Sequence, residues 1–174
     1  MGFDLYGSNP QHYEGKELPI YTKYKDMDWE DRDVHVDWEK DKDKFWEEEH
    51  KLDRMTGNYF RSNVWWWRQL WNFTCNICDE VLEEWQKEAG DTNEGIEIDE
   101  ETCAKMLPLM EKAIENKYHV QYEEEITKAI AKVEKDDNGF IKNDDEWWAN
   151  YPFSADFFEE FTTFVGRCGG FTIS

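Results

Sequence analysis

The chain has 174 residues with 41 acids against 20 bases, a formal net charge of −21. A surface so negative repels phosphate backbones and anionic lipid head groups, which excludes conventional nucleic-acid and membrane-surface binding; the field attracts a cation or a basic protein surface, or serves solubility alone. The hydrophobic content of 39% is low, but ten Trp, eleven Phe and eight Tyr bring large buried area per residue, enough for one core in a chain of this length.

The opening Met1-Gly-Phe-Asp-Leu-Tyr-Gly alternates Phe3 and Leu5 against Asp4 and Tyr6 and stops at Gly7-Ser-Asn-Pro10, which predicts a short strand and a turn. It has no basic and apolar leader, Tyr6 breaks a myristoylation signal at Gly2, and no run of eighteen apolar residues follows. A cytoplasmic protein is expected, with no membrane contact.

Residues 11–25 read as loop. From 26 to 54 there are thirteen acids and six bases, yet Trp38, Phe45, Trp46 and Leu52 recur at helical spacing, which predicts a surface helix over 37–54 inside an acidic insertion; 26–36 is either disordered or part of it. A long core helix is predicted from an N-cap at Ser62 or Asn63 to Ala89, stopped by Gly90. Its apolar stripes are Val64, Trp67, Trp71, Cys75, Cys78, Leu82, Trp85 and Trp66, Leu70, Phe73, Ile77, Val81.

Asp99 caps a helix over 100–116 in which Pro108 should force a kink or break. Tyr122, Ile126 and Val133 mark the next, ending at Asp137-Asn-Gly139, and Ser154 caps a last helix faced by Phe157, Phe161 and Phe164. After Gly169-Gly170, Phe171-Thr-Ile-Ser is a second short strand, which pairs with the first. The expected fold is α+β, mainly α: helices around a central Trp-rich helix, with a small sheet formed by the two chain ends. It is a single domain over 1–174, with 26–54 as the acidic helical insertion.

Three consecutive Trp cannot all face one side of a helix that turns about 100° per residue. With Trp66, Trp67 and Trp71 in the core, Trp65 shares a face with Arg68, Gln69 and Asn72. An indole plane, a guanidinium and a carboxamide near a helix start would stack on a base or sugar and pair with a phosphate or carboxylate. Trp65, Arg68 and Asn72, with Tyr59 and Arg61 nearby, are therefore the candidate ligand-binding residues. The competing reading packs Trp65 under 11–60 and pairs Arg68 with an acid.

Cys75 and Cys78 form a C-x-x-C, but mid-helix on the core stripe, which favours buried thiols over a redox or zinc pair. Glu134 to Asp145 imitates an EF-hand loop poorly, with Glu first, Lys142 ninth and Asp last. His12, His35, His50 and His119 are scattered and read as lone surface residues, and the eleven acids of 79–101 read as a solvated face. No metal or cofactor is expected, and no catalytic residue is singled out.

The opening Met-Gly-Phe-Asp-Leu-Tyr-Gly, the central Asn63-Val-Trp-Trp-Trp-Arg-Gln-Leu-Trp71 and the closing Gly169-Gly-Phe-Thr-Ile resemble a family of small bacteriophage and prophage proteins whose activity is not assigned. The resemblance covers the two ends and the central helix, about a third of the chain; Gln69 stands where relatives often have Pro. It implies an accessory phage protein that binds something in the host cytoplasm, with counter-defence as the leading role. Three functions are thus carried forward. The first is non-enzymatic sequestration of a small anionic, nucleotide-like host molecule; the second is an acidic inhibitor seated in a basic groove of a host defence or nucleic-acid-binding enzyme; the third is a metal-dependent hydrolase.

Overall fold

The pairing of Leu5 with Ile173 and of Tyr6 with Thr172 brings the two chain ends together as antiparallel neighbours, as their alternating sequences predict. In the computed structural model, which describes residues 2–92, 94–136 and 141–174, they are the middle of a four-stranded sheet. In chain order the elements are β1 (Gly2–Gly7), α1 (Pro19–Tyr24), α2 (Trp29–Asp33), α3 (Trp38–Thr56), β2 (Tyr59–Asn63), α4 (Val64–Ile77), α5 (Glu84–Ala89) and β3 (Ile96–Ile98). There follow α6 (Glu100–Glu115), α7 (Tyr118–Ile130), a 3-10 segment (Asp144–Asn150), α8 (Ala155–Val165) and β4 (Phe171–Ile173). Helices dominate, and the fold is α+β, mainly α. The strand order β2-β1-β4-β3 is antiparallel throughout. No helix among the described residues is long and apolar enough to cross a membrane.

Strand periodicity sorts the sheet into two faces. Phe3, Leu5, Phe60, Ile96, Ile98, Phe171 and Ile173 point into the core, where they meet α4, α6 and α8. Asp4, Tyr6, Tyr59, Arg61 and Glu97 stand on the other face. Inside, Trp67 and Trp71 stack at 5.4 Å, and Phe3 stacks on Trp67 at 5.2 Å. Each indole N–H donates to a carbonyl at the end of α5, Trp67 to Gly90 at 2.8 Å and Trp71 to Lys87 at 2.9 Å. These bonds satisfy both buried donors and carbonyls that a helix end leaves unpaired. Gly90 is required for the approach, since a Cβ there would sit 2.2 Å from the Trp71 ring.

Those two bonds explain why the helix expected over 62–89 is two helices. On a continuous helix residue 87 would lie about 24 Å beyond residue 71. The chain instead turns over 78–83 and folds α5 back, the Glu83 N–H being held by the Gln86 side chain at 2.9 Å. Two residues assigned to the core stripes end up outside it: Trp66 is 38% exposed and Trp85 53%. In α6 the helix runs through Pro108 without ending, because the proline and Ala104, whose carbonyl loses its donor, both face solvent. Asn63, Asp99 and Ser154 cap α4, α6 and α8 as expected.

The stretch 11–36 is more structured than its composition suggests. The Glu48 carboxylate of α3 accepts from the Ile20 and Tyr21 N–H groups at 2.9 and 2.8 Å, which fixes the start of α1. Tyr24, Trp38 and Phe45 then form a second, smaller core joining α1 and α3. On its other side α3 meets β2 and α8, where Arg54 pairs with Glu160 at 2.6 Å. The turn expected at 137–139 lies outside the described residues.

Trp67→Ala, which empties the centre of the core and orphans the Gly90 carbonyl, should cost about 3–5 kcal/mol in urea unfolding. Trp65→Ala, two positions away, should cost less than about 1 kcal/mol. Equal losses would contradict the assignment of one indole to the core and the other to the surface.

Candidate functional site

Helix α4 is capped at its first turn, where the Asn63 side chain accepts from the Trp65 and Trp66 N–H groups at 3.0 and 3.1 Å. With Trp67 turned inward, a rotation of about 100° per residue carries Trp65 to the opposite side. There it is 52% exposed and stacks on Tyr151 with ring centres 5.5 Å apart. Tyr151 in turn meets the edge of Trp147 at 5.3 Å. The Arg68 guanidinium, one turn on from Trp65, lies 5.5 Å from the Tyr151 ring centre and 5.7 Å from that of Trp147. The result is a ledge of three aromatic rings around one cation.

Arg68 is half-buried, and its Nε is shielded from water without a hydrogen-bond partner. Among the described residues no carboxylate lies within 4.0 Å of it. Its charge does reach Asp91, whose carboxyl is pushed up by burial and drawn back down by the guanidinium. Asp91 belongs to an acid-rich groove of about 330 Å³ that also includes Asn72, Glu84 and Glu88.

The five residues predicted from the sequence fall in three places. Trp65 and Arg68 meet on the ledge. Asn72, one further turn along, donates to the Tyr122 hydroxyl at 3.4 Å, which donates to Gln69 at 3.0 Å, so it ties α4 to α7. Tyr59 and Arg61 are on the outer face of the sheet instead. The Tyr59 hydroxyl donates to Asp4, and the Arg61 Nε is 3.6 Å from the same carboxylate oxygen. Burial, then the Asp4 carboxylate, holds the Tyr59 phenol above its ordinary range. Both line a groove of about 440 Å³ between α3 and β2, with His50, Asp53 and Arg54. They are sequence neighbours of Trp65, but a strand aims alternate side chains to opposite faces, and these two point away from the core.

Trp147 and Tyr151 went unnoticed in the sequence. Their i, i+4 spacing is the signal that marks one aromatic face, but Trp147 lies in a short 3-10 segment and Tyr151 just past its end, so no sustained periodicity supports it. His119 also differs from the expected surface histidine. It is buried against Phe158, with Nε2 2.9 Å from a Glu159 oxygen and Nδ1 without a partner. Among the described residues no three His, Cys, Asp or Glu converge on a point where a metal would sit. The EF-hand-like positions Asn138 and Gly139 lie outside the described residues.

The four cysteines are free. Cys103 and Cys168 have sulfurs 4.0 Å apart in the core, and Cys78 is buried beside the Met106 carbonyl. Cys75 is only half-buried, less than its place on the core stripe predicts. No family model, curated protein or solved structure matches the chain.

Burial pushes the Cys75 and Cys78 thiols up to about 12. Both therefore stay protonated at pH 8, and iodoacetamide should modify them at least about 100-fold more slowly than a free thiol until the protein is unfolded. Mass spectrometry of timed samples measures this; rapid labelling of the native C-x-x-C would show a reactive pair.

Proposed function

We propose that the chain is a non-enzymatic binding protein whose Trp65, Arg68, Trp147 and Tyr151 ledge holds a small molecule combining a flat ring with an anionic group, as a nucleotide does. The observation that carries this reading is Arg68. This half-buried guanidinium rests on aromatic rings, has no carboxylate partner among the described residues, and keeps an unsatisfied Nε. The Nε is closed to solvent, so a ligand phosphate or carboxylate would pair with the remaining N–H groups of the guanidinium, in charge-assisted hydrogen bonds. The exposed indoles of Trp65 and Trp147 supply stacking surface at little entropic cost.

The surrounding charge narrows the ligand. A polyanion would be repelled by a surface of net charge −21, whereas one phosphate meets one local cation. The acid-rich groove beside Asn72 leaves the Trp65 and Trp147 side as the approach for an anion. For a phage-type accessory protein, capture of a nucleotide-derived signal of the host is a counter-defence role that this chemistry suits. Tyr59 and Arg61, occupied with Asp4, take no part in this ligand's binding.

Calorimetric titration with mononucleotides and cyclic nucleotides tests the proposal. Binding of at least one of them should weaken tenfold or more in Arg68→Ala and in Trp65→Ala, about 1.4 kcal/mol each, with the unliganded protein still folded. Arg61→Ala should bind as the wild type does. Absence of binding by every nucleotide, or undiminished affinity in both ledge variants, would refute it.

A further inference from the structure

We propose that the face formed by α2 and α3, centred on Trp29 and Trp46, docks a basic protein surface that offers an apolar cleft to the two indoles. Trp29 touches the rings of Trp38 and Trp46 at 6.2 and 6.4 Å, yet leaves 59% of its surface in water. In the connection from α2 to α3, Val34 and Val36 are 82% and 91% exposed. Four apolar side chains within 18 residues thus lie open on an acid-rich stretch of the chain.

The charge around them states what covers them. Residues 26–49 hold twelve acids and four bases. Of the bases, Arg32 is folded over the Phe45 ring and donates to the Tyr24 and Lys25 carbonyls, Lys42 is held by Glu39 at 2.7 Å, and Lys40 and Lys44 stand exposed among the more numerous acids. Asp28, Glu30, Asp31, Asp33, Asp43 and Glu47 remain exposed around the indoles. An apolar centre inside an acidic rim matches a partner with an apolar centre inside a basic rim. The same rim opposes a second copy of this chain and an anionic membrane, both of which present like charge.

The support beneath the face is firm. Tyr24, Trp38 and Phe45 pack below it, the Tyr24 hydroxyl donates to Asp41 at 2.9 Å, and Lys23 bridges Asp37 and Asp41 at 3.2 and 2.9 Å. Indoles held by a preorganised base lose little freedom on docking, and tryptophan is the residue most often found at the energetic centre of such contacts.

The probe is a labelled 18-residue amphipathic peptide of Leu and Lys, followed by fluorescence anisotropy with the full chain. It should bind, and the affinity should fall steeply as salt is raised. Trp29→Ala should weaken binding tenfold or more, and so should Val34→Ser/Val36→Ser, whose side chains are too exposed to support the fold. Trp85→Ala removes an equally exposed indole from α5 and should change affinity less than twofold, as should Arg68→Ala. The proposal fails if the peptide does not bind, if oligolysine of the same charge binds as well, or if Trp29→Ala and Trp85→Ala behave alike. A concentration-dependent dimer lost in Trp29→Ala would reassign the face to a second copy, and tighter binding to phosphatidylserine vesicles than to the peptide would reassign it to a membrane.

Discussion

The bond from the Trp67 indole nitrogen to the Gly90 carbonyl is the constraint from which the rest of the architecture follows. It requires α5 to fold back along α4, so the chain must turn between them, and it requires a residue without a side chain at position 90, because the Trp71 ring fills the space. It also fixes the rotation of α4. Once Trp67 is committed to the interior, helical geometry leaves Trp65 and Arg68 no choice but to face outward, where they meet Tyr151 and Trp147. A buried hydrogen bond in the core thereby decides which cation the surface presents.

Much of this was readable in advance wherever a local rule and the tertiary packing agree. The caps at Asn63, Asp99 and Ser154, the helix beginning near residue 38, and the pairing of the two ends all follow from residue chemistry at single positions or from unbroken periodicity. The failures have a common cause: elements whose existence depends on a distant partner. Helix α1 needs the Glu48 carboxylate, β3 needs β4, and the break between α4 and α5 is invisible because the apolar periodicity continues straight through it. In the candidate site, Trp65 and Arg68 were legible from one helix alone. Trp147 and Tyr151 come from a segment some eighty residues away, and the closeness of Tyr59 and Arg61 to the helix in sequence does not carry into space, because their strand aims them elsewhere.

The excess of acid is spent unevenly. Several cations have structural duties: Lys23 clamps α1 to α3, Arg54 ties α3 to α8, and Lys87 joins Asp79 to Glu84 across the turn before α5. Acids also do structural work, as Glu48 does at the start of α1 and Asp99 at the start of α6. What remains is segregated. The α2 and α3 surface places an excess of negative charge around apolar side chains, whereas the Trp65 ledge holds a guanidinium with no ion pair among the described residues. The two faces have opposite electrostatic character, and the one net charge of the chain describes neither.

The strand order β2-β1-β4-β3 has a bearing on how the molecule reaches this state. Strand β1 can zip to β2 once about sixty residues are in place, but its other edge waits for β4, which lies at the far end of the chain and must slot between β1 and β3. The β1–β4 pairing has a far larger sequence separation than any contact within a helix, and pairings of that kind generally form more slowly than helices. Until β4 is in place, Phe3 and Leu5 would sit on a half-paired template, a kind of species that self-associates at high concentration. A chain bearing twenty-one surplus negative charges repels its own copies at the moment when that matters most.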